Sequence, residues 1–163
     1  MATNTDLRSN RERIYAFIMN HPIAVLATVD PNNNPHGSVI YYTNDENHNI
    51  LFITKERTKK HDNLSHNTHA MLVVYDQEDE AVLQISGVAE LVPEGYDSQI
   101  DFAAVLSSSM QTSGYPFSPI SKLAAGAYVV YKLTPVQMRL TTYTYPNHGV
   151  IVLEGDELHG ARH

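Results

Sequence analysis

Hydrophobic and polar positions change their period several times along the chain, and each change predicts an element. Over residues 5–20, Leu7, Ile14, Phe17 and Ile18 share one face at helical spacing, while Arg8, Arg11, Glu12 and Arg13 point away from it. This is the pattern of an amphipathic helix, and His21-Pro22 ends it because a residue before proline avoids the helical conformation. Residues 23–29 form a continuous apolar run, IAVLATV, suited to a strand covered on both faces. The turn formers Asp30-Pro31-Asn32-Asn33-Asn34-Pro35 follow. Residues 37–43 read as a second strand, with Val39 and Tyr41 on one face and Ser38, Ile40 and Tyr42 on the other. A polar turn over 44–49 leads to a third strand at 50–54.

After a basic loop, residues 61–65 predict a turn or two of helix, and 70–75 a fourth strand. An acidic turn at 77–80 precedes a long fifth strand over 81–92, with Gly87 inside it as the mark of a bulge or corner. Residues 94–107 read as a second longer helix. Residues 108–122 are irregular and rich in Ser, Gly and Pro, and a loop of that length is often functional. Residues 127–142 predict a strand pair or one bent strand in which Val136, Met138 and Leu140 share a face, with Pro135 at an edge or bend. The tail over 145–163 carries weak signals. About six hairpin-connected strands with two or three peripheral helices imply a mainly β fold: an antiparallel sheet that closes into a barrel to remove its edges. One domain over residues 1–163 accommodates this, with the helical segment at 1–21.

Composition narrows the chemistry. Cysteine is absent, which removes disulfides, thiolate metal sites and thiol nucleophiles. A net charge of −7 argues against a nucleic-acid partner. No apolar run reaches the roughly 18 residues of a membrane span, and residues 1–10 lack the apolar core of a signal peptide, so a cytoplasmic location is expected. His66-x-x-His69 has no carboxylate fixed beside it, and no metal site is expected. There is no glycine-rich nucleotide loop and no serine elbow.

Against this acidic background, four of the 11 Lys and Arg residues fall within residues 55–60. The segment Thr54-Lys55-Glu56-Arg57-Thr58-Lys59-Lys60 lies between a strand end and a helix start. Free backbone N–H groups and the helix dipole favour an anion there. Lysine and arginine supply charge, threonine supplies directed hydrogen bonds, and together they suit a phosphate monoester. A solvated charged turn is the plain alternative.

The segments IAVLATVDPNNNPHGSVIYY, ILFITKERTKKHDNL, AMLVVYD, LQISGVAELV and AYVVYKLTPVQMRL, in that order, resemble the pyridoxamine 5'-phosphate oxidase-like FMN-binding split barrels, in particular the shorter general-stress-protein branch. The resemblance implies a six-stranded, Greek-key split β-barrel that forms a homodimer with FMN at the interface. It implies that Thr58, Lys59 and Lys60 hold the FMN phosphate with help from Arg57, and that Ile53 and Thr54 lie along the ribityl chain and ring. It further implies that Ser38, Val39, Ile40 and Tyr41 edge the isoalloxazine, and that Gln84 reaches the flavin or the partner subunit. Family members often carry a cation where Ser38 stands.

The function implied is that of an FMN-dependent oxidoreductase acting on a small-molecule substrate. No side chain stands out as its general acid or base. Oxidation of vitamin B6 is not expected. Only Leu158-His159-Gly160-Ala161-Arg162 echoes the substrate-gripping motif of those oxidases, and Thr141 stands where they have a flavin-facing Trp. A flavin-binding carrier or redox sensor without turnover, and a barrel using haem or a deazaflavin, are the alternatives.

Overall fold

A computed structural model describes residues 4–93, 127–144, 146 and 148–158. The helix α1 (Asn4–Asn20) precedes the strands β1 (Ile23–Val29), β2 (Pro35–Asn44) and β3 (Ile50–Lys55). A second helix α2 (Lys59–His66) leads to β4 (His69–Asp76), β5 (Ala81–Leu91), β6 (Tyr128–Thr142) and β7 (Gly149–Glu154), and a 3-10 turn, Gly155–Leu158, follows. The sheet runs β3-β2-β1-β4-β5-β6-β7, and β3 also pairs with β6. Six antiparallel strands therefore close into the expected barrel, with β7 added outside the ring. The segments read as a helix over 94–107 and a loop over 108–122 lie outside the described residues.

The first two hairpins use one device twice. The Asp30 carboxylate accepts from the backbone N–H of Asn32 and Asn34, both at 2.9 Å. Asp45 accepts in the same way from Asn47 and Asn49, again at 2.9 Å. The fourth loop residue, Asn33 or His48, takes a positive φ of 63° or 62°, a region in which Asn and His are enriched among non-glycine residues. The Asn34 backbone N–H is the largest cause holding the Asp30 carboxyl below its ordinary range, and the Asn34 side chain adds to it.

Alternation places the core. Ala24, Leu26, Ile40, Tyr42, Phe52, Leu72, Val74, Leu83, Ile85, Tyr131 and Leu133 point inward and are buried together. Helix α1 adds Ile14, Phe17 and Ile18, the face expected from its spacing. The β1 strand differs from its apolar reading: Ile23 and Val25 are 42% and 43% exposed, because only its inward face meets the core.

The long strands carry the irregularity announced by Gly87 and Pro135. Register shifts there: Ser86 opposes Gln137 and Gly87 opposes Pro135, leaving Val136 as an extra residue in β6. Val136 is thus bulged outward and 56% exposed, while Met138 and Leu140 are buried. The expected shared face of these three residues is corrected by that insertion, which reverses the parity of the strand. Pro135 sits where β6 has left β3, last paired at Leu133, and has not yet met β7, first paired at Gln137. Its missing N–H therefore falls where one flank has no neighbour. The weakly signalled tail is a second correction. Residues 149–154 pair with 137–142, and Leu153 and Leu158 are buried. The strand is short and its outer face keeps Val150 and Val152 exposed, so sequence alternation did not mark it.

Two outcomes follow. A Cβ at Gly87 would lie 2.3 Å from the Thr134 carbonyl oxygen, whereas one at Gly149 meets nothing. Gly87→Ala is expected to destabilise by about 1–3 kcal/mol in urea unfolding, as overpacking does, and Gly149→Ala by less than about 0.5 kcal/mol. For Asp30, the folded carboxyl titrates lower than the unfolded one. Its contribution is therefore present above the unfolded value, about 3.9, and is lost as pH falls through the folded value. Urea midpoints of Asp30→Asn, measured from pH 6 down to pH 2, should fall less steeply than those of the native protein.

Candidate functional site

The barrel wall opens where β2 and β3 part. Their pairing is confined to Tyr42–Phe52, Thr43–Leu51 and Asn44–Ile50. Beyond that point β2 continues its ladder with β1 as far as Pro35, and β3 continues with β6 as far as Lys55. The edges of residues 35–41 and 53–55 that face each other form a seam. At the barrel end where the seam opens, α2 lies across the mouth.

Side chains from three strands tie α2 in place. The Asn63 amide donates to the Thr28 hydroxyl on β1 at 2.9 Å, and both residues are buried. The Tyr131 hydroxyl on β6 lies 2.9 Å from Nδ1 of His61. The hydroxyls of Thr54, at the end of β3, and Thr58 are 2.9 Å apart. Thr58 is the N-cap of α2: it donates to the Lys55 carbonyl at 2.9 Å and accepts from the His61 N–H at 3.4 Å. Its single proton is thus committed, and Thr54, fully buried, is left as the donor between the two hydroxyls. Both threonines were expected to offer donors to an anion. In this structure both build the turn instead, and the donors left facing outward belong to the helix.

Those donors are strong ones. The amides of Lys59 and Lys60 open the helix and have no partner within it, as at every helix start. Lys60 is half-buried, and burial lowers its pKa below the ordinary ammonium value. Among the described residues it has no acidic partner. Lys59 is more exposed, at 57%, and reaches Asp30 at 3.9 Å. Arg57 is exposed in the turn itself. On β2, Ser38 points inward beside Leu26 and His36 beside Thr28. Ser38 Oγ and His36 Nδ1 are buried without a hydrogen-bond partner. Such unpartnered buried atoms are uncommon in folded proteins.

The remaining expected positions fall into three groups. Ile40 and Ile53 are buried, Ile40 within the barrel core and Ile53 on the outer side of β3. Val39, 59% exposed, and the half-buried Tyr41 lie on the outer face of β2. Gln84 is on β5, opposite Val73 and Arg139. Two strands separate it from β2, a distance of roughly 14 Å at ordinary strand spacing. Within one chain it does not join the seam. Sequence reasoning did not single out Asn63, Thr28 or His36, nor the pairing of His61 with Tyr131. Only the buried polar character of Asn63 and Thr28 leaves any trace in a sequence, and that trace needs the register to be read. A cleft of about 420 Å³ at the opposite end of the barrel, lined by Arg13, Phe17, His21, Glu78 and Asp79 among others, is remote from this cluster. The described residues hold no cluster of His, Asp and Glu able to bind a metal ion.

A split antiparallel β-barrel with a cationic helix start beside its seam is the class of protein these features define. The sequence matches the pyridoxamine 5'-phosphate oxidase family over residues 11–142, and the chain belongs to that family. Among solved structures it is similar to a protein of Listeria innocua named as a putative pyridoxamine 5'-phosphate oxidase. The two are 23% identical, over 80% of this chain and 96% of that one, with a TM-score of 0.61. It is also similar to a pyridoxamine 5'-phosphate oxidase-related, FMN-binding protein of Nostoc punctiforme, at 16% identity, 95% and 99% coverage and a TM-score of 0.54. A haem-binding protein of Mycobacterium smegmatis shares the fold as well, at 17% identity and a TM-score of 0.65, over 96% of this chain and 61% of that one. No curated protein matches the sequence at a significant level. No helix among the described residues is long and apolar enough to cross a membrane.

The cap makes a direct prediction. Thr58→Ala removes the N-cap acceptor and leaves the Thr54 hydroxyl buried without a partner. A loss of about 1–2 kcal/mol is expected in thermal or urea unfolding. Thr58→Ser should retain most of the stability.

Proposed function

We propose that the chain is an FMN-binding flavoprotein, active as a homodimer, that passes two electrons between the flavin and a small-molecule substrate. The observation that carries this reading is Lys60. A half-buried ammonium without a counter-ion among the described residues is destabilised by its surroundings, and the fall in its pKa expresses that cost. A doubly charged phosphate ester at the start of α2 would supply the missing charge and take up the free amides. Lys59 and Arg57 would add attraction from the rim.

The seam fits the rest of the cofactor. Between the free edges of β2 and β3, backbone groups of residues 38–41 and 53–54 are available to ring heteroatoms, and the orphaned Ser38 and His36 atoms lie alongside. When bound, FMN supplies the redox chemistry, exchanging a hydride through its ring. The chain's own tasks are to hold the phosphate, orient the ring and keep water from it.

A second copy accounts for the outer face. Ile23, Val25, Val39 and Met71 are 42%, 43%, 59% and 37% exposed and lie on the neighbouring strands β2, β1 and β4. A contiguous apolar area of this kind favours a protein partner. Packing two such faces together would also bring Gln84 of one subunit towards the seam of the other. The family supports flavin binding, and the FMN-binding relative supports it further. The haem-binding relative keeps haem as the competing reading. The acidic surface and the absence of a membrane-spanning helix among the described residues favour a cytoplasmic protein without nucleic-acid partners.

Absorbance of the purified protein before and after addition of FMN tests the cofactor. Broad flavin bands that stay with the protein through gel filtration are expected, and a sharp Soret band in their place would overturn the reading. Lys60→Ala should lower FMN affinity by about 10- to 100-fold, the loss of one charge-assisted bond of roughly 1.5–3 kcal/mol. Lys59→Ala should cost less, because that ammonium is more exposed and shared with Asp30. Riboflavin, which lacks the phosphate, should bind all three proteins alike in a fluorescence titration.

A further inference from the structure

We infer that Tyr131 and His61 are positioning residues for the anion site, a buried tie from β6 that fixes the first turn of α2; the inference rests on the phosphate-holding role given to that turn. His61 is the third residue of the helix. Its backbone N–H goes to the Thr58 cap at 3.4 Å, and its ring goes to the Tyr131 hydroxyl at 2.9 Å. One residue is therefore held at both ends, immediately after Lys59 and Lys60. The two rings meet edge-on, with centroids 5.9 Å apart and planes at 69°.

Tyr131 is itself rigid. It is 2% exposed and stacks on Phe52 with centroids 5.4 Å apart. Burial raises the pKa of its phenol; a hydrogen bond with Ser65 opposes the rise and the Asp62 charge adds to it. The phenol thus stays protonated, and its oxygen shares a hydrogen bond with Nδ1 of His61 at 2.9 Å. The Asn63–Thr28 bond holds the following turn against β1 at 2.9 Å. With α2 pinned to two strands, the Lys59 and Lys60 amides are ordered before any ligand arrives, so binding does not have to order them. The effect of Tyr131 and His61 is exerted through the helix.

The experiment uses the full chain, with FMN, riboflavin and inorganic pyrophosphate as probes. Tyr131→Phe keeps the stacked ring and removes one hydroxyl. FMN and pyrophosphate should each bind about 5- to 10-fold more weakly, as expected for one buried hydrogen bond, with riboflavin unchanged. His61→Ala should behave alike, and His61→Asn, which returns a hydrogen-bonding group near the Nδ1 position, should recover most of the loss. Native FMN and pyrophosphate affinity in Tyr131→Phe would overturn the inference. So would an equal loss for riboflavin, or an Asn variant no better than Ala. If the native protein bound pyrophosphate but not FMN, the flavin reading would fall and the positioning role would still be decided by pyrophosphate. If it bound neither, both would fall.

Discussion

The parting of β2 from β3 after three residue pairs is the constraint on which the rest depends. In a closed barrel every strand edge is satisfied by a neighbour. Here two edges separate while each keeps its other neighbour, so an opening is held apart by a ladder on either side. Backbone groups there remain available, and a ligand can meet them without unfolding anything. The same parting gives α2 its place, because the chain leaving β3 has no partner to return along and must cross the mouth before entering β4.

Once α2 crosses the mouth, its N-terminus becomes the electrostatic focus of an otherwise acidic protein. The cap uses the hydroxyls that a sequence reading assigns to the ligand, and this trade is physically sensible. A threonine that both donates to Lys55 and accepts from Thr54 and His61 is worth more as a hinge pin than as one more donor to an anion. What the cap leaves uncommitted is the pair of Lys59 and Lys60 amides and the half-buried Lys60 ammonium.

The outer face has a similar logic. Strands β1, β2 and β4 carry apolar residues on both sides, and the folded chain buries only one of them. A monomer would leave that surface in water. An association that covers it would close the seam from outside and exclude solvent from a flat ligand lying there, so the same contact would serve assembly and chemistry.

The sequence by itself determined the alternation of β2, the face of α1, the place of the cationic turn and, through five ordered segments, the family. These are local properties: alternation, turn chemistry and charge density act over a few residues. Where β2 leaves β3, why Val136 bulges outward, how residues 149–154 add a strand, and which hydroxyls are consumed by the cap were decided only by tertiary structure. Each depends on register between segments far apart in the chain, as when Tyr131 meets His61 across 70 positions. Register is set by the closure of the whole barrel, because a single inserted residue reverses every face beyond it, and no window of sequence contains that information.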